Sequence, residues 1–262
     1  MENTRFQKWH LTFKVLPIVI LVIFLKLLAH QFSLEFLTLN PLFTGIVTAN
    51  IFLLGFLIAG VLSDYKESEK LPGELATSIE TIVDECLIIY KSKKAKPAEE
   101  CLNHTLQLTT SINDWFYKKE HTRALMDKLS NFNDFFLAFE SLTQANFIAR
   151  LKQEQTAIRR MLIRIHTIRE TSFVSSGYAI AEAIALILAI GLIFVKIDPF
   201  YEALFFVGAI TFLQIYMILL IKDLDNPFDY YGDDRGPDEV SLKPLEDLKL
   251  RIEEKISLNI LK

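Results

Sequence analysis

Residues 42–63 read LFTGIVTANIFLLGFLIAGVLS, and this stretch decides the fold class. It carries no charged side chain over 22 positions. A helix rises about 1.5 Å per residue, so the stretch can cross a hydrocarbon core of about 30 Å. Thr48, Phe52 and Phe56 recur every four residues and therefore share one helical face. A helix that contacts only lipid needs no such face, so we expect something specific to lie against it.

Three other apolar blocks have a similar length. Together the four blocks predict membrane spans at about 13–29, 42–63, 174–195 and 203–221. The chain is 51% hydrophobic, which is too apolar for an ordinary soluble domain. A charged, helix-patterned segment at 64–173 separates the middle spans, and a tail follows at 222–262. We predict an all-α polytopic membrane protein with a cytosolic helical layer between its second and third spans, and we treat residues 1–262 as a single unit.

The basic residues near the spans predict the orientation of the chain. The N-terminal flank carries Arg5, Lys8 and Lys14, whereas the loop after the first span has neither lysine nor arginine. Four arginines precede the third span: Arg159, Arg160, Arg164 and Arg169. They either enforce topology or line an electropositive vestibule that concentrates anions. We expect an integral protein of the cell (inner) membrane with both termini in the cytoplasm, and we expect Lys26 to extend its ammonium to the interface.

The remaining composition excludes several classes of function. The net charge of −4 argues against a nucleic-acid partner. The five histidines are scattered, and no phosphate-binding, dinucleotide-binding or nucleophile motif is present. The two cysteines, Cys86 and Cys101, form no metal-binding spacing, so we interpret both as free thiols in a reducing compartment. We therefore expect the protein not to be an enzyme and to need no cofactor.

Two polar residues lie inside predicted spans. Glu182 lies in the third span, where a carboxylate costs about 2–3 kcal/mol on insertion scales and must face protein or a wet cavity. In a functional role, Glu182 lines a pore or takes part in proton transfer. In a structural role, it makes a hydrogen bond to Tyr178 or to a neighbouring helix. Asn50, in the second span, either bridges two helices or contacts an ion, and bridging is the usual role of membrane asparagines.

A dense acidic loop follows the fourth span. Its acidic residues are Asp223, Asp225, Asp229, Asp233, Asp234, Asp238 and Glu239. Calcium binds clustered carboxylate and carbonyl oxygens, but the spacing is not that of an EF-hand. A solvated acidic turn is the simpler interpretation.

The order of parts resembles that of the bestrophins and bestrophin-like membrane proteins. Leu54-Gly55-Phe56 matches the core of the family's second span, and Asn226-Pro227-Phe228 matches the motif that precedes its acidic run. The resemblance implies that Thr48, Phe52 and Phe56 form a narrow neck. It also implies a calcium clasp at three aspartates, namely Asp229, Asp233 and Asp234.

The chain departs from the family pattern at Thr48, where an aliphatic residue is usual, and at two further places. Ser63-Asp64-Tyr65 stands where many bestrophins have Arg-Trp-Trp, and Tyr230-Tyr231-Gly232 interrupts the acidic run. These departures indicate a divergent member, and the last argues against calcium binding.

The resemblance implies a homopentameric channel for small monovalent ions, with anions such as chloride favoured over cations. A cation channel of the same fold is the first alternative. A non-conducting scaffold or sensor is the second, with the aromatic stretch at 132–139 as an exposed partner surface. A proton-coupled carrier that uses Glu182 is the third.

Overall fold

The computed structural model describes residues 9–171, 175–230 and 239–259. These residues form ten helices and one pair of short parallel strands. The helices are α1 (His10–Gln31), α2 (Pro41–Ser68), α3 (Leu71–Lys93), α4 (Lys96–Phe116), α5 (Thr122–Ser130), α6 (Phe132–Phe139), α7 (Ala145–Glu170), α8 (Ser175–Phe194), α9 (Phe200–Asp225) and α10 (Lys243–Asn259). The strands are β1 (Leu37–Thr38) and β2 (Val195–Lys196).

The described residues cluster into two compact units. The membrane unit contains the residues up to Tyr65 and those from 175 to Asn226. It holds α1, most of α2, α8 and α9, which are long and apolar enough to cross a membrane. All four predicted spans are therefore confirmed as helices, and α2 continues five residues beyond the predicted end at 63. The helical unit contains Lys66–Thr171 and the described residues from Pro227 onward. That the whole chain works as a single unit stays a prediction.

The membrane unit is held together by two apolar clusters. One joins Val22, Leu192, Val195 and Val207 near the strands, and the other joins Leu54, Leu57, Val61, Ala181 and Ile221 farther along the helices. A Cβ placed on Gly208 would lie 3.2 Å from Ile23 Cδ1, so glycine allows α1 and α9 to approach closely. Small residues at such crossings favour helix association in lipid, where packing replaces the hydrophobic effect.

Lys26 does not extend into solvent as a snorkelling lysine would, so that expectation was wrong. Its side chain is fully buried, its Nζ lies 2.5 Å from Glu35 Oε1, and it also donates to the Val195 carbonyl. His30 Nδ1 lies 2.9 Å from Glu35 Oε2, and the His30 ring stacks on Phe200. The loop after α1 folds back over the end of the span and brings Glu35 to the lysine, because a buried ammonium is stable only beside an opposite charge.

The helical unit has an apolar core contributed by most of its helices. On α3, Leu75, Ile79, Ile82 and Val83 are fully buried, as their helical spacing predicts. The aromatic stretch contributes to the same core, since Phe132, Phe136 and Phe139 are all buried. These three side chains are therefore not an exposed partner surface.

The two cysteines lie next to each other in this core. Cys86 Sγ and Cys101 Sγ are 3.2 Å apart, and both side chains are buried and free, as predicted. The hydrogen bond to Cys101 and the burial raise the pKa of the Cys86 thiol. Because both thiols are buried, both cysteines should react slowly with alkylating reagents while the protein is folded.

The tail ends in an amphipathic helix that packs on α3. Leu245, Leu248 and Ile252 bury one face of α10, and ion pairs border that face. Arg251 binds both carboxylate oxygens of Glu80 at 3.1 and 2.9 Å, and Lys255 bridges Glu80 and Asp84 at 3.2 and 2.8 Å. The hydrogen bond from Arg251 outweighs burial and lowers the pKa of the Glu80 carboxyl. Its contribution to stability is therefore present above the ordinary carboxyl pKa, and it is lost as the pH falls through the lowered value.

We expect Arg251→Glu to weaken the docking of α10 by about 1 kcal/mol, because it places a third carboxylate beside Glu80 and Asp84. The measurement is limited proteolysis of the tail together with thermal unfolding at neutral pH. The charge swap Glu80→Arg with Arg251→Glu should recover part of the loss. If the single variant and the swap behave alike, the ion pair does not hold the helix.

Candidate functional site

Within the membrane unit, one face of helix α2 is buried and the opposite face is exposed. Asn50, Leu54, Leu57 and Val61 are buried, and their spacing of four, three and four residues places them on one side. At 3.6 residues per turn, Thr48, Phe52 and Phe56 lie about half a turn away, on the other side. The residues that repeat every four positions in the sequence thus form the face that the described residues leave uncovered.

The uncovered face consists of small and aromatic residues. Phe52 is 78% exposed and Phe56 is 66% exposed, while Ala59 and Gly45 are also exposed. A Cβ on Gly45 or Gly55 would meet no atom within 4 Å, so packing within the described residues does not require these glycines. An open concavity of about 780 Å³ runs along this side between Leu39 and Phe52. The face is suited to close approach by another chain or to a narrow passage.

Thr48 lies on this face in the half of α2 nearer the strands. Its Oγ1 donates a hydrogen bond of 2.9 Å to the Thr44 carbonyl one turn earlier. The hydroxyl proton is therefore used within the helix, and the oxygen lone pairs remain for contacts outside it. That Thr48, Phe52 and Phe56 form a neck stays a prediction.

Asn50 is on the buried side of α2 and not on the uncovered face. Its side chain is fully buried, which agrees with the interhelical position expected from the sequence. No described residue, however, provides a hydrogen-bond partner for either its Nδ2 or its Oδ1. Asn50 is thus positioned like a bridging asparagine without making a direct bridge.

Glu182 of α8 forms an ion pair with Lys222 of α9. The two side chains are half-exposed, and Lys222 Nζ lies 2.6 Å from Glu182 Oε1. This contact is the structural alternative raised from the sequence, with the neighbouring helix as the partner. A role of Glu182 in a pore or in proton transfer stays a prediction.

The charge swap Glu182→Lys with Lys222→Glu separates these roles. If the pair is structural, Glu182→Gln lowers the thermal unfolding midpoint of the protein in detergent, and the swap restores it with unchanged ion flux. The loss should be below about 1 kcal/mol, as for other half-exposed pairs. A swap that restores the midpoint but abolishes the pH dependence of flux would show that the carboxylate acts directly on the transported species.

Three of the four arginines before the third span bind within the helical unit, whereas Arg160 is exposed; of the three, Arg159 donates to Ser130 Oγ at 3.2 Å. Arg164 makes two hydrogen bonds to Glu67, of 3.0 and 2.8 Å, and these lower the pKa of the Glu67 carboxyl. Arg169 donates to the Trp115 carbonyl at 3.2 Å. These guanidinium groups join helices of the unit, which weakens the interpretation of an open electropositive vestibule.

The described part of the acidic loop packs against α4. Phe228 and Tyr230 are buried, and the Tyr230 hydroxyl donates to the Val240 carbonyl at 2.6 Å. Asp229 Oδ1 lies 2.6 Å from Lys118 Nζ. Asp233 and Asp234 lie outside the described residues, and no group of His, Cys, Asp or Glu suited to a metal occurs within them. Calcium binding at the three aspartates therefore stays a prediction.

The sequence interpretation missed the buried pair of Lys26 and Glu35, which the half-exposed His30 joins from its edge. The available signal was a lysine inside an apolar span with a glutamate nine residues later, just beyond the helix end. A charged residue at membrane depth usually faces protein and pairs with an opposite charge.

Comparison with known proteins identifies the fold. The sequence matches no family model and no curated protein. Solved structures of a bacterial bestrophin homologue from Klebsiella pneumoniae do match. A leucine-to-threonine variant of that homologue is 13% identical at a TM-score of 0.80, covering 92% of this chain and 98% of its own. A tyrosine-to-alanine variant is 13% identical at a TM-score of 0.77, with the same coverage. A form phased with zinc is 15% identical at a TM-score of 0.73, covering 94% and 97%. The predicted likeness in fold is therefore confirmed.

Proposed function

We propose that this chain, which has the bestrophin fold, assembles with copies of itself into a ring and conducts small monovalent ions through the centre. The observation that carries the proposal is the uncovered face of α2, opposite the face that packs on α8 and α9. In a closed cyclic assembly each residue of that face becomes a ring of identical side chains. Five copies are the number that the family resemblance implies.

Phe52 and Phe56 act as the constriction in this proposal. Their exposed rings stand one helical turn apart, so the assembly has two successive apolar rings. A narrow apolar passage blocks ions by expelling water, and small changes in its width open or close it. Thr48 supplies a ring of hydroxyl oxygens about one turn before Phe52.

Anions are the proposed cargo, because the family resemblance implies them and the positive edges of aromatic rings attract them. Cations are the second candidate, and a specific observation favours them. The Thr48 hydroxyl donates to its own helix, so the Thr48 ring presents oxygen lone pairs, which attract cations.

The test is ion flux from liposomes that contain the purified protein. We expect flux of a monovalent ion in protein-containing liposomes and none in protein-free ones. Replacing chloride outside by a large organic anion, or potassium by a large organic cation, identifies the sign of the charge. A folded, oligomeric protein that gives no ion flux under any of these conditions would contradict the proposal.

The scaffold alternative was motivated by an exposed aromatic surface at 132–139. Three phenylalanines of that stretch are buried, so this motivation no longer holds. The proposal also includes the location and orientation of the protein. Both termini and the helical unit face the cytoplasm, and the membrane is the cell (inner) membrane.

A further inference from the structure

We infer that the membrane unit binds a small cluster of water molecules between α2 and α9, held by Asn50, Thr211 and Gln214. The inference concerns the interior of one chain and does not depend on ion conduction. It rests on burial, hydrogen-bonding capacity and the register of the two helices.

All three side chains are buried, and four of their polar atoms lack hydrogen-bond partners among the described residues. Asn50 is 0% exposed, and Thr211 and Gln214 are each 1% exposed. Asn50 Nδ2 and Oδ1, Thr211 Oγ1 and Gln214 Nε2 have no hydrogen-bond partner among the described residues. Each polar group left unsatisfied at membrane depth costs several kcal/mol. These four atoms therefore call for partners other than the described side chains.

The register of α2 and α9 places Asn50 and Gln214 at about the same level, with Thr211 one turn away. Both helices begin just after strands β1 and β2, which pair in parallel, so they start from the same end of the unit. Leu54 of α2 and Ile218 of α9 line the same small cavity. Asn50 lies one turn from Leu54, and Gln214 lies one turn from Ile218, in both cases toward the strands. Thr211 follows one further turn along the buried side of α9.

The donor and acceptor set matches water. The amide nitrogens of Asn50 and Gln214 donate, Asn50 Oδ1 accepts, and the Thr211 hydroxyl does either. A buried water molecule makes two to four such bonds and needs both kinds of partner. The three side chains are neutral, so an ion bound among them would gain no opposite charge to offset its desolvation. Water is therefore the occupant that satisfies all four atoms.

The proposed water cluster contacts the middle of α2. Asn50 faces the interior at the depth where Phe52 faces outward, because the two residues lie on opposite sides of one turn. Bridging water holds two helices nearly as well as a direct hydrogen bond and adapts to small displacements. The water cluster therefore gives the middle of α2 a polar contact that is kept when the helix shifts slightly.

A double-mutant cycle tests whether Asn50 and Gln214 share an occupant. Asn50→Leu and Gln214→Leu should each lower the thermal unfolding midpoint of the purified full chain, since each leaves the remaining polar groups with fewer partners. The double variant should regain most of the loss, because an apolar pair needs no water. Asn50→Leu combined with Thr110→Val on α4 is the control, and its effects should add.

Two results would overturn the inference. The first is that each leucine raises the midpoint and the two effects add, which would mean that the groups are independent and unsatisfied. The second comes from an experimental density map that resolves ordered water. We expect a peak within hydrogen-bonding distance of at least two of the three side chains. A map in which Asn50 contacts Gln214 directly, with no density between the helices, would replace the water by a direct bond.

Discussion

Replacing both Phe52 and Phe56 by alanine is expected to raise the unitary conductance and the open probability of the reconstituted protein several-fold. Both rings project from the uncovered face of α2, at 78% and 66% exposure, and among the described residues none packs closely over that face. Removing them widens the proposed constriction and lets water remain in it, which lowers the barrier to ions. In the proposed cyclic assembly, one substitution changes every copy at the same level.

The matched control is Phe205→Ala. Phe205 is a phenylalanine of α9 in the same membrane unit, it is 69% exposed, and it is not on the proposed neck. Its substitution should leave both conductance and open probability unchanged. If the double variant on α2 conducts like the wild type while remaining folded and oligomeric, the assignment of the neck is wrong.

Replacing Lys26 by methionine is expected to cause the largest loss of stability of any single substitution in the membrane unit. The change leaves the carboxylate of Glu35, which is only 9% exposed, without its cation. Breaking a buried ion pair from one side costs about 3–5 kcal/mol, which is a large part of the stability of a typical protein. We expect little folded protein, and a markedly lower unfolding midpoint for what remains.

The rescue variant distinguishes loss of the pair from poor packing. Adding Glu35→Gln to Lys26→Met removes the unpaired charge and should recover part of the midpoint. Lys196→Met is the control, because Lys196 lies in β2 near the same end of the unit but is more than half exposed. A midpoint that falls equally in Lys26→Met and Lys196→Met would contradict the central role of the buried pair.

The same pair predicts a dependence on pH. Burial raises the pKa of the Glu35 carboxyl, but the hydrogen bonds from Lys26 and His30 outweigh it, so the net pKa is below the ordinary value. The contribution of Glu35 to stability is therefore complete above the ordinary carboxyl pKa and disappears as the pH falls through the lowered value. The wild type should lose stability over that acidic range, whereas a Lys26→Met, Glu35→Gln double variant should show a smaller loss.

The sequence predicts the span helices well because each carries a long, mostly apolar run, and a helix satisfies all the backbone hydrogen bonds of such a run within the segment itself. The face of α2 is predicted for a related reason, since a repeat of four residues maps directly onto one side of a helix. The likeness of the fold to bestrophins follows from the order of spans and from two short motifs, Leu54-Gly55-Phe56 and Asn226-Pro227-Phe228.

The contacts that the sequence does not predict are those made between segments distant along the chain. Lys26 stands near the end of its span, where snorkelling is the usual expectation, and only the folded loop and β2 bring Glu35 and the Val195 carbonyl to it. The pairing of Glu182 with Lys222 likewise depends on how α8 and α9 align. Asn50 suggests a partner helix, but its lack of a direct bond follows from packing that residue types alone do not specify.

The accessibility of single cysteines along α2 tests the central claim most directly. Cysteine is placed at Thr48, Phe52 or Phe56 on the uncovered face, and at Leu54 or Leu57 on the buried face. The two native cysteines are buried, so they leave a low background. The account predicts that a charged, water-soluble thiol reagent blocks ion flux through the first three variants and leaves the other two unaffected. Equal block on both faces, or labelling of the first three without any change in flux, would contradict a pore lined by this face of α2.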